Sequence, residues 1–199
     1  MSRIPDDAAC VRYLVNEGCK RRVVVHCCTV RAAAEEIASH IEGVDMDLVV
    51  AGALLHDIGR SVDHSIMHAY LGSKIAERLG LPNEIVDIIR KHTGAGLDQE
   101  DVEELGLPPG DYMPSTLEEK IVAHADNMVS DNRVVAHGHS VDKLIYKGAF
   151  RGAERIEVLH MELSDLYGQD LDSLVKKLGE YPELKCLPAD DECRGLPSP

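Results

Sequence analysis

The sequence predicts an all-α fold, a bundle of about seven to nine helices. Three observations carry this reading. Apolar residues recur at helical spacing through most of the chain, and no stretch alternates with a period of two. The hydrophobic residues are mainly Leu, Val, Ile and Ala, with one Phe and no Trp, a stock that suits packed helices. Capping residues and glycines fall at the ends of the periodic segments. The bundle reads as one domain over residues 1–179, with its core at 20–130 and C-terminal helices at 149–179 packing on it. Residues 180–199, with four prolines, read as a tail on the surface or disordered.

Pro5 and Asp6-Asp7 open a short helix through Val11, Leu14 and Val15, closed by Gly18. Lys20-Arg21-Arg22 reads as a solvated helix start. Val23 to Ile41 is a longer helix, with His26 near its start among valines. Leu48 to Leu55 is almost wholly apolar and reads as a buried helix capped by Asp45 or Asp47. His56 and Asp57 fall in its last turn and Gly59 ends it. Ser65 to Leu79 is the next helix, where Gly72, one turn after His68, permits close approach of a neighbouring backbone. Asn83 to His92 follows, stopped by Thr93-Gly-Ala-Gly96. Asp98 to Leu105 is a short acidic helix. A capping box at Ser115–Glu118, or in the frame Thr116–Glu119, opens a helix running through Asp126 to Ser130. Residues 131–146 give the weakest signal, with His137-Gly-His139 as a loop. Ala149 to Tyr167 and Leu171 to Leu178 complete the bundle.

The net charge of −14 excludes a general nucleic-acid binder, since phosphate contacts need clustered Lys and Arg. A local basic pocket for a small phosphate compound stays open. No apolar run approaches the roughly 20 residues that span a bilayer, so no membrane role is expected. Met1 to Cys10 is polar and carries Pro5, unlike a signal peptide. The six cysteines show no CxxC repeat and read as reduced thiols of a cytoplasmic protein. The oligomeric state, a homodimer included, is left open.

His56 and Asp57 at the end of a buried helix need partners, because burying an imidazole and a carboxylate unpaired costs several kcal/mol. A divalent cation would satisfy both; the plain alternative is a capped, hydrogen-bonded helix end. His26, His68, His92 and Asp126, each on a different predicted helix, favour the cation.

This ordered set, H…HD…D, resembles the HD superfamily of metal-dependent phosphohydrolases. The strings Ala53-Leu-Leu-His-Asp-Ile-Gly59 and Val122-Ala-His-Ala-Asp-Asn127 carry the resemblance, which extends from Arg22 to Asn127. Small HDIG-type proteins are similar too. The resemblance implies an HD-type helical bundle in which His26, His56, Asp57 and Asp126 hold a first metal. Two-metal members add two histidines, matched here by His68-Ala-Tyr-Leu-Gly72 and Lys91-His-Thr-Gly94, with Asp57 bridging both ions. The donors suit one or two divalent transition metal ions, Fe, Mn, Zn, Co or Ni. Arg60 stands where many members carry Lys; with Asp57 it makes up the catalytic pair, offering a two-pronged contact to phosphate. His64 is a further phosphate contact or a substitute for His68. Asn127 is placed to orient substrate. Arg133, on the Asp126 face if that helix continues, is a further phosphate ligand. The implied function is a metal-dependent phosphohydrolase acting on a nucleotide or other small phosphate ester, with metal-activated hydroxide as nucleophile. The alternatives are a paired-iron oxygenase of the same superfamily and a non-catalytic nucleotide-binding module. The signalling-phosphodiesterase branch, with its paired His and Gly-Tyr-Pro motif, is not matched.

The other histidines read more plainly. His124 is about 200° around its helix from Asp126 and is structural. His40 and His160 do surface or capping work. His137 and His139 are ordinary loop residues or, alternatively, substrate contacts. Cys27 approaches the metal or, more plainly, fills the core.

Overall fold

The computed structural model describes residues 3–186. The part of the expected tail from 187 to 199 lies outside the described residues. Among the described residues the chain forms ten α-helices and one two-stranded hairpin. In order these are α1 (Asp7–Asn16), α2 (Arg21–Ala38), α3 (Met46–Leu55), α4 (His68–Arg78), α5 (Asn83–Lys91), α6 (Gln99–Glu104) and α7 (Leu117–Asn127). Then come β1 (Val129–Ser130), β2 (Arg133–Val134), α8 (Gly138–Tyr146), α9 (Phe150–Tyr167) and α10 (Leu174–Leu178). No helix is long and apolar enough to cross a membrane among the described residues.

The centre of the bundle is α3. Its residues from Leu48 to Leu55, save the half-buried Val50, are buried, as a helix apolar on every side must be. It packs against α1, α2, α5 and α7. Asp45 caps it, accepting from the Leu48 amide at 3.1 Å. Gly52 makes room for Ile88 of α5: a Cβ there would lie 2.8 Å from the Ile88 Cδ1. The helix ends one residue before His56. Asp57 then leads into a 3-10 turn, Ile58–Ser61, and is not in the last turn of α3 as expected.

Gly59, expected to end the helix, instead lies under α4. A Cβ on Gly59 would sit 1.9 Å from the His68 carbonyl oxygen and 2.6 Å from the Gly72 amide nitrogen. Gly72 meets Gly59 from the other side, so two glycines let α4 touch the turn that follows Asp57. This crossing sets the distance between Asp57 and His68.

The start of α7 uses the Thr116–Glu119 frame: Glu119 accepts from the Thr116 amide and Thr116 accepts from the Glu119 amide. Glu119 also takes the buried Lys91 ammonium at 3.1 Å, tying α7 to the end of α5 beside His92. Burial alone would lower the Lys91 pKa, but Asp111 and Glu119 outweigh it and raise it.

Three expectations need correction here. The helix through Asp126 stops at Asn127 rather than Ser130, and the chain turns back through β1 and β2 with Val129 opposite Val134. Asp131 supplies the left-handed turn residue (φ 57°), a conformation that Asp tolerates. Two-residue strands leave no alternating run to read. His137-Gly-His139 is not a loop; it opens α8. Cys28 and Cys186 are disulfide-bonded across 158 residues of sequence, so the thiols are not all free; Cys10, Cys19 and Cys27 are free and buried. Ahead of this link the chain is held at Glu180, whose carbonyl accepts from the Val134 amide at 2.9 Å.

Candidate metal centre

Five stretches of chain meet at the C-terminal end of α3. His26 comes from the first turns of α2, His56 and Asp57 from the end of α3, and His68 from the first position of α4. His92 follows α5 and Asp126 lies near the end of α7. His56, Asp57, His68 and His92 are buried.

The four imidazoles share one arrangement. Each places Nδ1 against a main-chain carbonyl: His26 on Asp131 at 2.8 Å, His56 on Ala53 at 2.7 Å, His68 on Ser65 at 2.6 Å and His92 on Ile89 at 2.7 Å. A carbonyl only accepts, so Nδ1 carries the hydrogen in each ring and the neutral tautomer leaves a lone pair on Nε2. All four Nε2 atoms point inward. Those of His26 and His56 are 3.3 Å apart, and those of His68 and His92 are 3.1 Å apart. Facing lone pairs at such separations need a cation between them.

Asp57 lies between the two pairs. Its Oδ2 is 3.7 Å from Nε2 of both His26 and His56, and its Oδ1 is 3.3 Å from Nε2 of His68 and 3.5 Å from that of His92. Oδ1 is buried without a hydrogen-bond partner among the described residues, which costs about 1–3 kcal/mol unless something positive meets it. Asp126 Oδ1 completes the first set, 3.0 Å from His26 and 3.6 Å from His56. Donor atoms of His26, His56 and Asp57, of His56, His92 and Asp126, and of Asp57, His68 and His92 each lie close enough together to hold a metal ion.

The protonation tendencies agree with a demand for positive charge. Burial pulls His26 down, but Asp126 and then Asp57 outweigh it and hold it up at about 9. A proton on His26 thus occupies the place of a cation. Burial works against ionised Asp57 and Asp126, yet the imidazoles around them keep both well below the usual carboxylate range. Burial, with His56 and His68 nearby, lowers His92 despite Asp57, which keeps it a neutral donor. Cys27 is fully buried, and burial followed by the Asp57 charge holds its thiol well above the ordinary range, as befits core filling.

The centre opens into a cavity of about 600 Å³ lined by Arg21, Arg22, His26, Asp57, Arg60, His64, Asp131 and Asn132, with Val23 and Val25. Arg60 lies over Asp57, with its Nε paired to Oδ2 and its Nη2 3.4 Å from His68 Nε2. His64 stands exposed on the rim. It cannot share a helix face with His68, because α4 begins only at His68. Asn127 turns elsewhere: its Nδ2 donates to the Gly94 carbonyl at 2.8 Å, holding the loop after His92. Arg133 is not brought to the site. The helix that would have carried it ends, and its guanidinium pairs with Glu180 at 2.8 Å. Arg21 and Arg22, read from the sequence as a solvated helix start, are among the cavity residues that reading missed, with Asp131 and Asn132. The two arginines sit one helical turn before His26, and that spacing was the available signal.

The HD domain family model matches residues 23–131, a span holding all six converging residues. A tRNA (cytidine(56)-2′-O)-methyltransferase of Picrophilus torridus is 44% identical over 175 residues, 88% of this chain but 51% of that protein. The chain thus spans about half the length of such relatives. An uncharacterized protein, MJ0778, of Methanocaldococcus jannaschii is 42% identical over 74% of this chain and 91% of its own. Among solved structures, the HD domain of the L. monocytogenes phosphodiesterase PgpH in complex with cyclic-di-AMP superposes with a TM-score of 0.56 at 17% identity. It covers 88% of this chain and 99% of that one, a likeness of fold. With the motif, the bundle and the convergence of histidines on Asp57 all in place, the chain belongs to the HD domain family.

Proposed function

We propose that the protein is a metal-dependent phosphohydrolase acting on a small phosphate ester, a nucleotide in the first instance. The observation that carries this is the position of Asp57. Its buried Oδ1 has no hydrogen-bond partner and faces inward Nε2 atoms, and Asp57 and His26 line a cavity whose walls also hold three guanidinium groups. His26, His56, Asp57 and Asp126 would hold one ion, and Asp57, His68 and His92 the other. Divalent ions bound there supply Lewis acidity and lower the pKa of coordinated water towards neutrality.

The chain's own residues do the rest. The main-chain carbonyls of Asp131, Ala53, Ser65 and Ile89 lock the four rings in the tautomer that presents Nε2. Arg60, with Nε on Asp57 and only long contacts from Nη1 to the His64 carbonyl and from Nη2 to His68, lines the cavity and would turn these groups to equatorial phosphate oxygens as they gain charge during transfer. Arg22 is exposed on the rim and offers a planar fork to a phosphate farther from the reacting atom. In a chain of net charge −14 this arginine-lined mouth selects a compact anion over an extended polyanion.

The test is phosphate release from a panel of nucleoside mono-, di- and triphosphates and short RNAs with terminal phosphates, with added Mn or Fe. The RNAs enter because of the tRNA-related name borne by half-matching relatives. Turnover of one class that falls away in Asp57→Ala is expected. No turnover of any, by protein shown to carry metal, would overturn the proposal.

A further inference from the structure

A second group of histidines lies away from the metal centre, between α7, α8, α9 and the 3-10 turn Leu171–Ser173. His137 precedes α8, His160 lies on α9 and Asp172 lies in the turn. One donor atom from each comes within 4.8 Å of the others. We propose that His137, His160 and Asp172 form an additional divalent-cation site, of the kind that zinc or cobalt occupies, independent of the HD centre.

The geometry supplies the parts such a site needs. His137 Nδ1 is 3.0 Å from Asp172 Oδ1, and its Nε2 is 3.1 Å from Glu157 Oε2. A ligating histidine commonly donates its other ring N–H to a carboxylate, and Glu157 stands in that place. His160 also has both nitrogens engaged. Its Nδ1 is 3.1 Å from His124 Nε2, and its Nε2 is 3.2 Å from Asp170 Oδ1. Asp170 Oδ1 only accepts, so His160 donates its Nε2–H there and its Nδ1 accepts from His124 Nε2–H; an ion bound at Nε2 would take the place of that proton. The two rings stack with centroids 3.6 Å apart and planes 19° apart, so one ring must turn before both in-plane lone pairs meet a single ion.

Burial and access also suit a bound ion. The His160 side chain is 7% exposed and that of His137 16%, whereas Asp172 and Asp170 stand at the rim with 33% and 73%. The carboxylates thus face solvent, from which an ion arrives, and the imidazoles form the floor. Two nitrogens with one or two carboxylate oxygens match the borderline ions rather than magnesium or calcium, which prefer oxygen throughout. His124 reaches this group, whereas Asp126, two residues on along α7, reaches the HD centre. The helix therefore separates the two sites.

The experiment counts metal on the purified 199-residue chain in which Asp57→Asn and Asp126→Asn disable the HD centre. After dialysis against Zn(II) or Co(II) and desalting, about one ion per chain is expected to remain. It is expected to vanish in the same background on His137→Ala, and to weaken about tenfold or more on Glu157→Gln. Cobalt absorption in the visible range should disappear with it, while circular dichroism shows the helices intact. Should His137→Ala unfold the chain, Asp172→Asn at the exposed rim gives the same readout. Should the disabled background unfold, the count is taken in otherwise wild-type protein, where Asp172→Asn should lower it by one. A folded disabled protein that retains no metal, or a count that His137→Ala and Asp172→Asn leave unchanged, would show a hydrogen-bond network only and overturn the proposal.

Discussion

The two histidine groups are built differently. At the HD centre every imidazole rests its Nδ1 on a main-chain carbonyl, so helix ends and one hairpin turn fix the rings before any ligand arrives. In the group around His160 the ring nitrogens meet side chains instead: Asp172, Glu157, Asp170 and one another's neighbours. Backbone anchoring sets one tautomer and one direction. Side-chain anchoring leaves both open to the protonation of the partners. The first arrangement suits a reaction that needs fixed lone pairs; the second suits a site whose occupancy follows pH and metal supply.

The largest expected contrast is between the two central carboxylates. Asp57→Ala should lower turnover by at least about 10²–10³-fold and release metal from the HD centre, because that carboxylate serves both donor sets. Asp172→Ala should leave turnover as it is. Rate measurements paired with metal counts check this, and equal losses in the two variants would erase the distinction. Next in size is Gly59→Ala, which places a methyl group against the His68 carbonyl and Gly72. It should cost at least about 3 kcal/mol in denaturant unfolding. A midpoint like that of the wild type would mean that α4 does not approach the turn so closely.

The cavity rim gives smaller effects. Arg22→Ala should raise KM about tenfold with kcat little changed, whereas Arg60→Ala should lower kcat, since only Arg60 lies over Asp57. The reverse pattern would exchange their roles. The smallest effect concerns pH in metal-free protein. Burial lowers His137, but Asp172 and Glu157 outweigh it and raise its pKa. A histidine raised on folding contributes its full stability below the ordinary value of about 6.5, and loses it as pH rises through the folded value. The stability difference between wild type and Asp172→Asn should therefore be largest in mild acid and shrink towards alkaline pH. Thermal unfolding in EDTA across that range measures it, and a difference that grows with pH would have the wrong sign.

Much of the HD centre was legible in the sequence because the side chains that converge there follow helix periodicity and short local strings. An apolar run ending in His56-Asp57 announces a buried polar pair, and His26, His68, His92 and Asp126 lie on segments with clear helical spacing. What holds the rings was not legible. The carbonyl that orients His26 belongs to Asp131, in a hairpin turn between two-residue strands too short to alternate. The place of Arg133 depended on where α7 stops, and that is decided by the same hairpin. Arg21 and Arg22 looked like a solvated helix start because local sequence does not say that a cavity lies alongside. His160 reads as a surface or capping residue, yet it is buried, with His124, His137 and Asp170 against it. The Cys28–Cys186 link joins residues that no spacing rule connects.

The most direct measurement is anomalous diffraction from crystals grown with manganese or zinc. Two peaks flanking the Asp57 carboxylate are expected, one within reach of His26, His56 and Asp126 and the other within reach of His68 and His92. A well-ordered map with no peak at Asp57, its carboxylate held by Arg60 alone, would contradict the reading of these residues as a metal centre.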